Sequence, residues 1–263
     1  MTIIAISNQK GGVGKTTTTA NLAHAIVSIT NSRVLLLDLD PQGNLGTTLG
    51  IEYGARDHNV YTLMCYEYSD QEIFSKFIVS TYIPRLDIIP SNMDLAAFNV
   101  EVVNIRGKEF ILANKLHQIK DKYDYILIDC PPTLNILSIN ALVAADCLLI
   151  PMQCEYLSLE GLVQLMHITS LIQQNFNPTL QFLGVLLTMY DKRNNLSHSI
   201  VQEVKDYLGY KVFDTLIPRS VKISEAQSHG KTIITYDNKS NASINYKNLA
   251  KELIMKLKKN NKT

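Results

Sequence analysis

A glycine-rich segment close to the N-terminus combines two lysines with two threonines, a set of residues that suits phosphate binding. The segment reads Asn8-Gln9-Lys10-Gly11-Gly12-Val13-Gly14-Lys15-Thr16-Thr17. Glycines allow tight backbone turns that point several N–H groups toward phosphate oxygens. A helix that begins near Lys15 would add the positive end of its dipole. Lys15 can reach the β- and γ-phosphates of a nucleotide, and the Thr16 hydroxyl can bind Mg²⁺.

The spacing of this segment departs from two common phosphate-binding patterns. The strict P-loop has glycine where Gln9 stands, and the dinucleotide fingerprint has its third glycine where Thr17 stands. What remains is K-G-G-x-G-K-T-T, in which Lys10 is a second lysine. This form resembles the deviant Walker A loop of the ParA, MinD and nitrogenase iron protein group. The resemblance implies that ATP and Mg²⁺ bind along residues 10–17.

Acidic residues end two later apolar segments. Asp38 and Asp40 belong to Leu37-Asp38-Leu39-Asp40-Pro41-Gln42-Gly43-Asn44, and Asp129 ends Tyr125-Ile126-Leu127-Ile128-Asp129. Ligands of open α/β sheets bind at the carboxyl ends of strands, where acids can order Mg²⁺ or orient an attacking water. Asp-Pro and Gln-Gly also favour plain turns, but the phosphate loop favours a functional interpretation for Asp40. We therefore expect Thr16, Asp40 and Asp129 to lie near the metal.

Strand-like and helix-like segments alternate along the chain and would position these residues. Apolar runs typical of buried strands are Ile3–Ile6, Val34–Leu37, Leu86–Ile89, Tyr125–Ile128, Cys147–Ile150 and Phe182–Leu187. Segments with helical spacing between them include Thr16–Ile29, Phe110–Lys122 and Leu157–Gln174. This alternation predicts an α/β fold with a doubly wound, mostly parallel sheet and helices on both faces. We expect a single P-loop domain over residues 1–258 and a polar tail over residues 259–263.

Composition limits the class of protein. The 263 residues suit one large α/β domain, and no apolar run is long enough to span a bilayer. The N-terminus lacks the basic stretch and cleavage site of a signal peptide, so we expect a cytoplasmic protein. Four cysteines form no C-x-x-C pair, so neither a zinc site nor a dithiol centre is indicated and buried, reduced thiols are expected.

Charge is distributed unevenly along the chain. The net charge is only +1, but residues 192–263 carry 14 Lys and Arg against 6 Asp and Glu, a net of +8. Residues 1–191 carry 11 against 18, a net of −7. The basic last quarter is a candidate surface for an anionic partner, and a plain solvated surface is the alternative.

The distal half of the chain carries further motifs in order. They are Gly184-Val185-Leu186-Leu187-Thr188-Met189-Tyr190-Asp191, Asp214-Thr215-Leu216-Ile217-Pro218-Arg219 and Ser224-Glu225-Ala226-Gln227-Ser228-His229-Gly230-Lys231. With the N-terminal motifs they resemble the ParA/Soj family of chromosome and plasmid partitioning ATPases, from about Thr2 to about Leu257. The resemblance implies that Met189, Pro218, Arg219 and Ser220 border the adenine of ATP.

The chain departs from the family pattern at three positions. Ser220 stands where many relatives carry Asn, and Gln227 and Asn238 each replace a frequent proline. We expect the two proline replacements to loosen local turns rather than to remove chemistry.

The family resemblance also implies a mechanism and partners. Lys10, Lys15 and Asp40 would be catalytic, with Lys10 reaching the phosphates of a second copy in an ATP-bound homodimer. That dimer would bind nonspecific double-stranded DNA on the nucleoid, and a ParB-like centromere-binding protein would stimulate hydrolysis. Candidate contacts to the DNA backbone are Lys192, Arg193, Arg219, Lys222 and Lys231. Because the first strand begins at residue 2, no N-terminal DNA-binding domain is expected.

Two other functions share this fold. A MinD-like ATPase would place the division site from the membrane surface, but the last predicted helix, about Asn245–Leu257, has a core-like apolar stripe and a Lys-rich end. We therefore expect no membrane partner. A metabolic enzyme or metal-cluster reductase would need a second substrate motif or paired cysteines. Cys130 follows Asp129 as a lone cysteine, which indicates packing rather than cluster binding.

Overall fold

The computed structural model describes residues 1–52, 58–65, 74–119, 121–155 and 158–260. Within these ranges seven strands form one sheet: β1 Thr2–Ile6, β2 Val34–Asp38, β3 Val79–Ser80, β4 Leu86–Ile89, β5 Tyr125–Asp129, β6 Cys147–Gln153 and β7 Gln181–Thr188. Their order is β3-β4-β2-β5-β1-β6-β7. All neighbours pair in parallel except β3, which is antiparallel to β4. The predicted α/β fold with a mostly parallel sheet is therefore confirmed.

Helices connect the strands and cover both faces of the sheet. They are α1 Lys15–Thr30, α2 Asn44–Thr48, α3 Val60–Cys65, α4 Leu95–Glu101, α5 Ile111–His117, α6 Ile136–Ala144, α7 Ser158–Asn175, α8 Asn195–Leu208, α9 Val221–Ser228, α10 Ile233–Tyr236 and α11 Asn241–Asn260. Short 3₁₀ turns precede α5, at Lys108–Phe110, and follow α8, at Gly209–Lys211. The local sequence defines several ends: Asn135 caps α6 by accepting the N–H groups of Leu137 and Ser138.

Side chains of each strand alternate between two hydrophobic clusters, one on each face of the sheet. In β1, Ile3 and Ala5 join one cluster, whereas Ile4 and Ile6 join the other. Helices α1 and α11 pack on the second cluster, and α6 and α7 contribute to the first. Burial on both faces explains why the strands read as continuous apolar runs in the sequence.

Element boundaries differ from the predictions in specific places. The six predicted strands are present with small extensions, while β3 was not predicted. The predicted helix Phe110–Lys122 is shorter, because α5 begins after a 3₁₀ turn and ends at His117. Helix α7 matches the prediction from Leu157 to Gln174, although Leu157 itself lies outside the described residues.

The terminal helix α11 extends beyond the predicted Asn245–Leu257, from Asn241 to Asn260. Its apolar stripe is buried against α1 and consists of Tyr246, Leu249, Ala250, Leu253 and Leu257. The last turn carries Lys258 and Lys259. Across the described helices, none combines the length and apolar character that crossing a membrane requires.

The cysteines are only partly as predicted. Cys130, Cys147 and Cys154 are buried free thiols, but Cys65 is exposed at the end of α3. The expectation of burial was wrong for Cys65, whose thiol lies beside the exposed Glu101 carboxylate. Burial is the leading cause that raises the pKa of each of the three buried thiols. The raised pKa favours the protonated, unreactive thiol at each of these three positions.

Candidate active site

Strand register aligns the acidic residues at one edge of the sheet. Asp38 and Asp129 are paired positions at the carboxyl ends of β2 and β5, and Ile6 is paired with Asp129 on the other side. The phosphate loop leaves β1 directly after Ile6. Asp38 and Asp129 are fully buried, and burial raises the pKa of both carboxyl groups. Such a concentration of buried acid beside an anion-binding loop is typical of functional sites.

The phosphate loop forms an open backbone cradle. Gly12 and Gly14 adopt positive φ angles of 73° and 88°, and α1 begins directly after Gly14. A Cβ atom built on Gly11 or Gly12 would meet no atom within 4 Å. A cleft of about 520 Å³ opens here, lined by Gly11, Gly12, Gly14, Lys15, Thr16 and Thr17 together with Asp40. The cradle therefore has room for an anion at the N-terminus of α1.

Side chains from β6, β7 and the loop itself hold this cradle in place. The Asn8 amide donates to the carbonyl of Pro151 at 2.7 Å. Gln153 donates to the carbonyl of Gly12 at 2.9 Å, and Thr188 donates to the carbonyl of Val13 at 2.8 Å. Val13 is fully buried and so contributes backbone rather than side chain to the loop.

The two loop lysines occupy different positions. Lys15 is 7% exposed, lines the cleft, and donates from Nζ to the carbonyl of Lys10 at 3.1 Å. Desolvation lowers the pKa of Lys15, and the charges of Asp129 and Asp40 oppose that shift. Lys10 is half-buried at the rim, where Nζ lies 2.8 Å from a carboxylate oxygen of Glu155. Its ammonium is thus directed to Glu155 of its own chain.

Asp129 presents an unsatisfied acceptor beneath the cleft. Thr19 donates to its Oδ1 atom at 3.2 Å, and the Thr16 hydroxyl interacts with the same carboxylate. The Oδ2 atom is buried and, within the described part of the chain, makes no hydrogen bond. A buried carboxylate oxygen without a partner beside a hydroxyl suits a hard cation. Asp129 and Thr16 therefore fit Mg²⁺.

The loop after β2 depends on Asp38. Its carboxylate accepts the backbone N–H groups of Asp40 and Leu45, both at 3.1 Å, and of Gly46 at 3.4 Å. These bonds hold the N-terminus of α2 and the loop that carries Asp40. Asp40 is half-buried, lines the cleft, and accepts the N–H of Gln42 at 3.0 Å. Asp38 supports the loop, whereas Asp40 faces the space where a ligand would bind.

A second pocket of about 210 Å³ adjoins the cleft. It is lined by all four residues that were predicted to border a base, Met189, Pro218, Arg219 and Ser220. Gly14, Thr17, Met189 and Gln227 line both cavities, which are therefore continuous. The structure thus joins the phosphate-binding loop to a small, partly apolar pocket, an arrangement that suits the base and phosphates of one nucleotide.

The five predicted DNA-contacting residues are all exposed, but their charges are not equivalent. Arg193 pairs with Asp191 at 3.2 Å, and Lys222 pairs with Asp237. Lys192 and Arg219 line a wide cavity of about 930 Å³ on the same side as α9 and α11. Lys231 lies on the turn after α9. The charges of Arg193 and Lys222 are therefore locally compensated, and DNA contact by any of the five residues stays a prediction.

Several residues of the site were not identified from the sequence. Thr19 lies one helical turn beyond Lys15, and Gln153 and Thr188 each end a strand. The positions of Gln153 and Thr188 at carboxyl strand ends are the signal that could have identified them. Gln227 was expected only to loosen a turn, but it lies within α9 and donates to the Thr17 hydroxyl at 3.0 Å.

A phosphate loop after the first strand, two buried acids on adjacent strands and a second loop lysine define a nucleotide hydrolase of the deviant P-loop class. Comparison with known proteins agrees with this assignment. A family model described as an AAA domain matches residues 1–182. The sporulation initiation inhibitor protein Soj of Bacillus subtilis is 48% identical over 251 residues, covering 95% of this chain and 97% of the relative. The chain belongs to the ParA/Soj family of partitioning ATPases.

Two further comparisons extend this assignment. The chromosome partitioning protein ParA of Myxococcus xanthus is 46% identical over 252 residues, covering 96% of this chain and 87% of the relative. Among solved structures, a cobyrinic acid a,c-diamide synthase of Mycobacterium smegmatis with bound ADP and magnesium has 33% identity and a TM-score of 0.84. That likeness covers 98% of this chain and 95% of the other. The fold is therefore shared with a protein named as a synthase, so the fold alone does not indicate a role in partition. That role is supported by the sequence relatives and by the site.

Proposed function

We propose that the protein is a Mg²⁺-dependent ATPase that partitions a chromosome or plasmid by ATP-controlled binding to DNA. The observation that carries this proposal is the different placement of the two loop lysines. Lys15 is buried in the cleft, where it can neutralise the phosphates of its own nucleotide. Lys10 has a half-buried side chain at the rim, from which it can extend to a nucleotide in a second copy. We therefore expect dimerisation to depend on nucleotide. Each phosphate-binding site has its own Lys15, but it receives a Lys10 ammonium only when a second copy binds.

The chain's own residues divide the work of hydrolysis. Lys15 and the N–H groups of the loop stabilise the charge that develops on the phosphates. Asp40 orients the attacking water from its position in the cleft. Thr16 and Asp129 would hold Mg²⁺, which supplies further charge neutralisation when bound. Met189, Pro218, Arg219 and Ser220 enclose the adenine.

DNA binding is the second half of the proposal. Lys192, Arg219 and Lys231 are exposed, and Lys192 and Arg219 line the same wide cavity. They would contact backbone phosphates of double-stranded DNA without reading sequence. The partition proteins named among the relatives support DNA as the cargo. A ParB-like, centromere-bound protein would stimulate hydrolysis and release the dimer from DNA, so that the protein resides in the cytoplasm on the nucleoid.

Cosedimentation tests the proposal directly. The full chain is incubated with Mg²⁺ and ATP, ADP or no nucleotide, together with plasmid DNA or anionic liposomes. We expect ATP-dependent pelleting with DNA and no pelleting with liposomes, and faster ATP turnover when DNA and the ParB-like protein are both present. Binding to liposomes alone would support a MinD-like function instead. Turnover that depends on a small-molecule acceptor, with DNA having no effect, would support a metabolic enzyme.

A further inference from the structure

A polar seam joins the phosphate-loop helix α1 to the segment that contains α9 and α10. Three residues on one face of α1, spaced at helical intervals, contact this segment. The pairs are Thr17 with Gln227, Asn21 with Ile233 and His24 with Thr232. The separations are 3.0 Å, 2.8 Å and 2.6 Å respectively. Gln227 provides the contact closest to the phosphate loop.

The segment that carries Gln227 is held by close packing at its end. Gly230 has a φ angle of 61°, and a Cβ built on it would lie 2.8 Å from the Cα of Gly50. A Cβ on Gly50 would likewise lie 3.1 Å from the carbonyl oxygen of Gly230. Such contacts leave no room for movement toward the turn after α2. The end of this segment is therefore packed against the turn after α2, and Gln227 lies within helix α9 rather than on a loop.

Hydrogen-bond direction gives this contact a chemical consequence. A threonine hydroxyl has one proton to donate and can accept two hydrogen bonds. Because the Gln227 amide nitrogen donates to Thr17 Oγ1, the Thr17 oxygen is the acceptor and its proton remains available. Thr17 lines the phosphate-loop cleft, and its hydroxyl can therefore donate a hydrogen bond to an anion bound there.

We propose that Gln227 is a positioning residue that directs the Thr17 hydroxyl toward the phosphates of a bound nucleotide. Gln227 lines both the cleft and the adjoining pocket, so it also links the occupancy of the base pocket to the geometry of the phosphate loop. The inference rests on nucleotide binding at this loop, which is part of the proposed function, but it does not depend on dimerisation or on DNA.

Calorimetric titration of the full chain with Mg·ADP tests the role of Gln227, since ADP carries phosphates without requiring a dimer. Gln227→Leu removes the donor, and we expect binding to weaken roughly threefold to tenfold. Gln227→Glu has the same shape, but its ionised carboxylate can only accept, so the Thr17 hydroxyl would donate its hydrogen bond to Glu instead of to a phosphate, and negative charge is added. We expect that variant to bind ADP more than about tenfold more weakly. Gln174→Leu, on the exposed end of α7, is the matched control.

A double-mutant cycle separates positioning from a general effect on the fold. If Gln227 acts through Thr17, Thr17→Val combined with Gln227→Leu should weaken ADP binding no more than Thr17→Val alone. Additive losses, or unchanged ADP affinity in Gln227→Glu, would overturn the inference. Thermal melting without nucleotide reports whether each variant is folded, and the isosteric Glu variant keeps the test valid if the Leu variant is unstable. Absence of ADP binding in the unaltered chain would instead refute nucleotide binding itself.

Discussion

The ammonium of Lys10 lies 2.8 Å from the carboxylate of Glu155 in the same chain. Glu155 follows β6. The Lys10 side chain is 37% exposed and the Glu155 side chain is 49% exposed. An ion pair of this exposure contributes about 0–1 kcal/mol. Lys10 can reach a second chain only after this pair separates. In the proposed ATP-bound dimer, Glu155 would therefore compete weakly with the partner's phosphates for the Lys10 ammonium.

Glu155→Gln should favour the ATP-bound dimer. Removing the carboxylate eliminates the competing ion pair, so the dimer should become tighter by up to about fivefold, the factor that corresponds to roughly 1 kcal/mol. Analytical ultracentrifugation with Mg·ATP over a range of protein concentrations measures the change. Glu203→Gln, an exposed change on α8, is the control. Equal or weaker dimerisation of Glu155→Gln would show that the ion pair does not restrain Lys10.

The two loop lysines can be separated by matched substitutions. Lys15→Ala should abolish detectable binding of both ADP and ATP, because the buried ammonium is the cation inside the cleft. Lys10→Ala should keep ADP affinity within about threefold, since a half-buried cation that does not line the cleft contributes little to that complex. It should nevertheless lose the ATP-dependent dimer. Calorimetry with ADP and ultracentrifugation with ATP distinguish the two variants. Normal ADP affinity in Lys15→Ala would mean that the loop is wrongly assigned.

Asp40→Ala should uncouple binding from hydrolysis. Asp40 lines the cleft, and its carboxylate accepts a hydrogen bond from Gln42 within its own turn, so the fold and the ATP affinity should be retained. Turnover should fall by at least about 100-fold if Asp40 orients the water, and the protein should accumulate as a DNA-bound dimer. Phosphate release and filter binding measure these two effects. Undiminished turnover would remove Asp40 from catalysis. Asp38→Ala, in contrast, should destabilise the fold, because three N–H groups lose their acceptor.

The strands and their order along the sequence were predictable, because burial on both faces leaves a continuous apolar run. Strand β3 was not, since its two residues at the sheet edge carry no such pattern. The phosphate loop and the acids were also predictable, because each belongs to a short motif within a few residues of a strand end. The hydrogen bonds from Thr19 to Asp129 and from Gln153 to Gly12 were not predictable. Their partners are 110 and 141 residues apart, respectively, and strand register rather than local spacing brings them together.

Stability should depend on pH through His24. Burial lowers the pKa of His24 to about 4, and the nearby charge of Lys247 adds to this shift. The unfolded chain takes up a proton near pH 6.5, whereas the folded chain resists protonation. Stability is therefore constant with respect to His24 above about pH 6.5 and falls as the pH decreases toward about 4. The loss should be about 2 kcal/mol at about pH 5.

Urea unfolding of His24→Gln at about pH 7.5 and pH 5 checks this dependence. The substitution removes the titrating group, so the difference in unfolding free energy between the two pH values should shrink by about 2 kcal/mol. His167→Gln, an exposed change on α7, is the control. An unchanged difference in His24→Gln would assign the acid sensitivity to other groups.

The local charge environment should divide the basic residues into two groups in DNA binding. Arg219 and Lys192 border a wide cavity without a carboxylate ion pair among the described residues, whereas Arg193 and Lys222 are paired with Asp191 and Asp237. A cation that contacts a phosphate releases a counterion when it binds, so its removal lowers the salt dependence of binding.

Arg219→Ala and Lys192→Ala should each weaken binding of the ATP-bound protein to plasmid DNA and reduce the slope of log K against log salt by about 1. Arg193→Ala and Lys222→Ala should change the slope by less than half of that, because each would have to give up an existing partner before contacting DNA. Fluorescence anisotropy at several salt concentrations gives both quantities. Equal slopes for all four variants would mean that the ion pairs open freely on DNA, and the compensated cations would then belong to the binding surface as well.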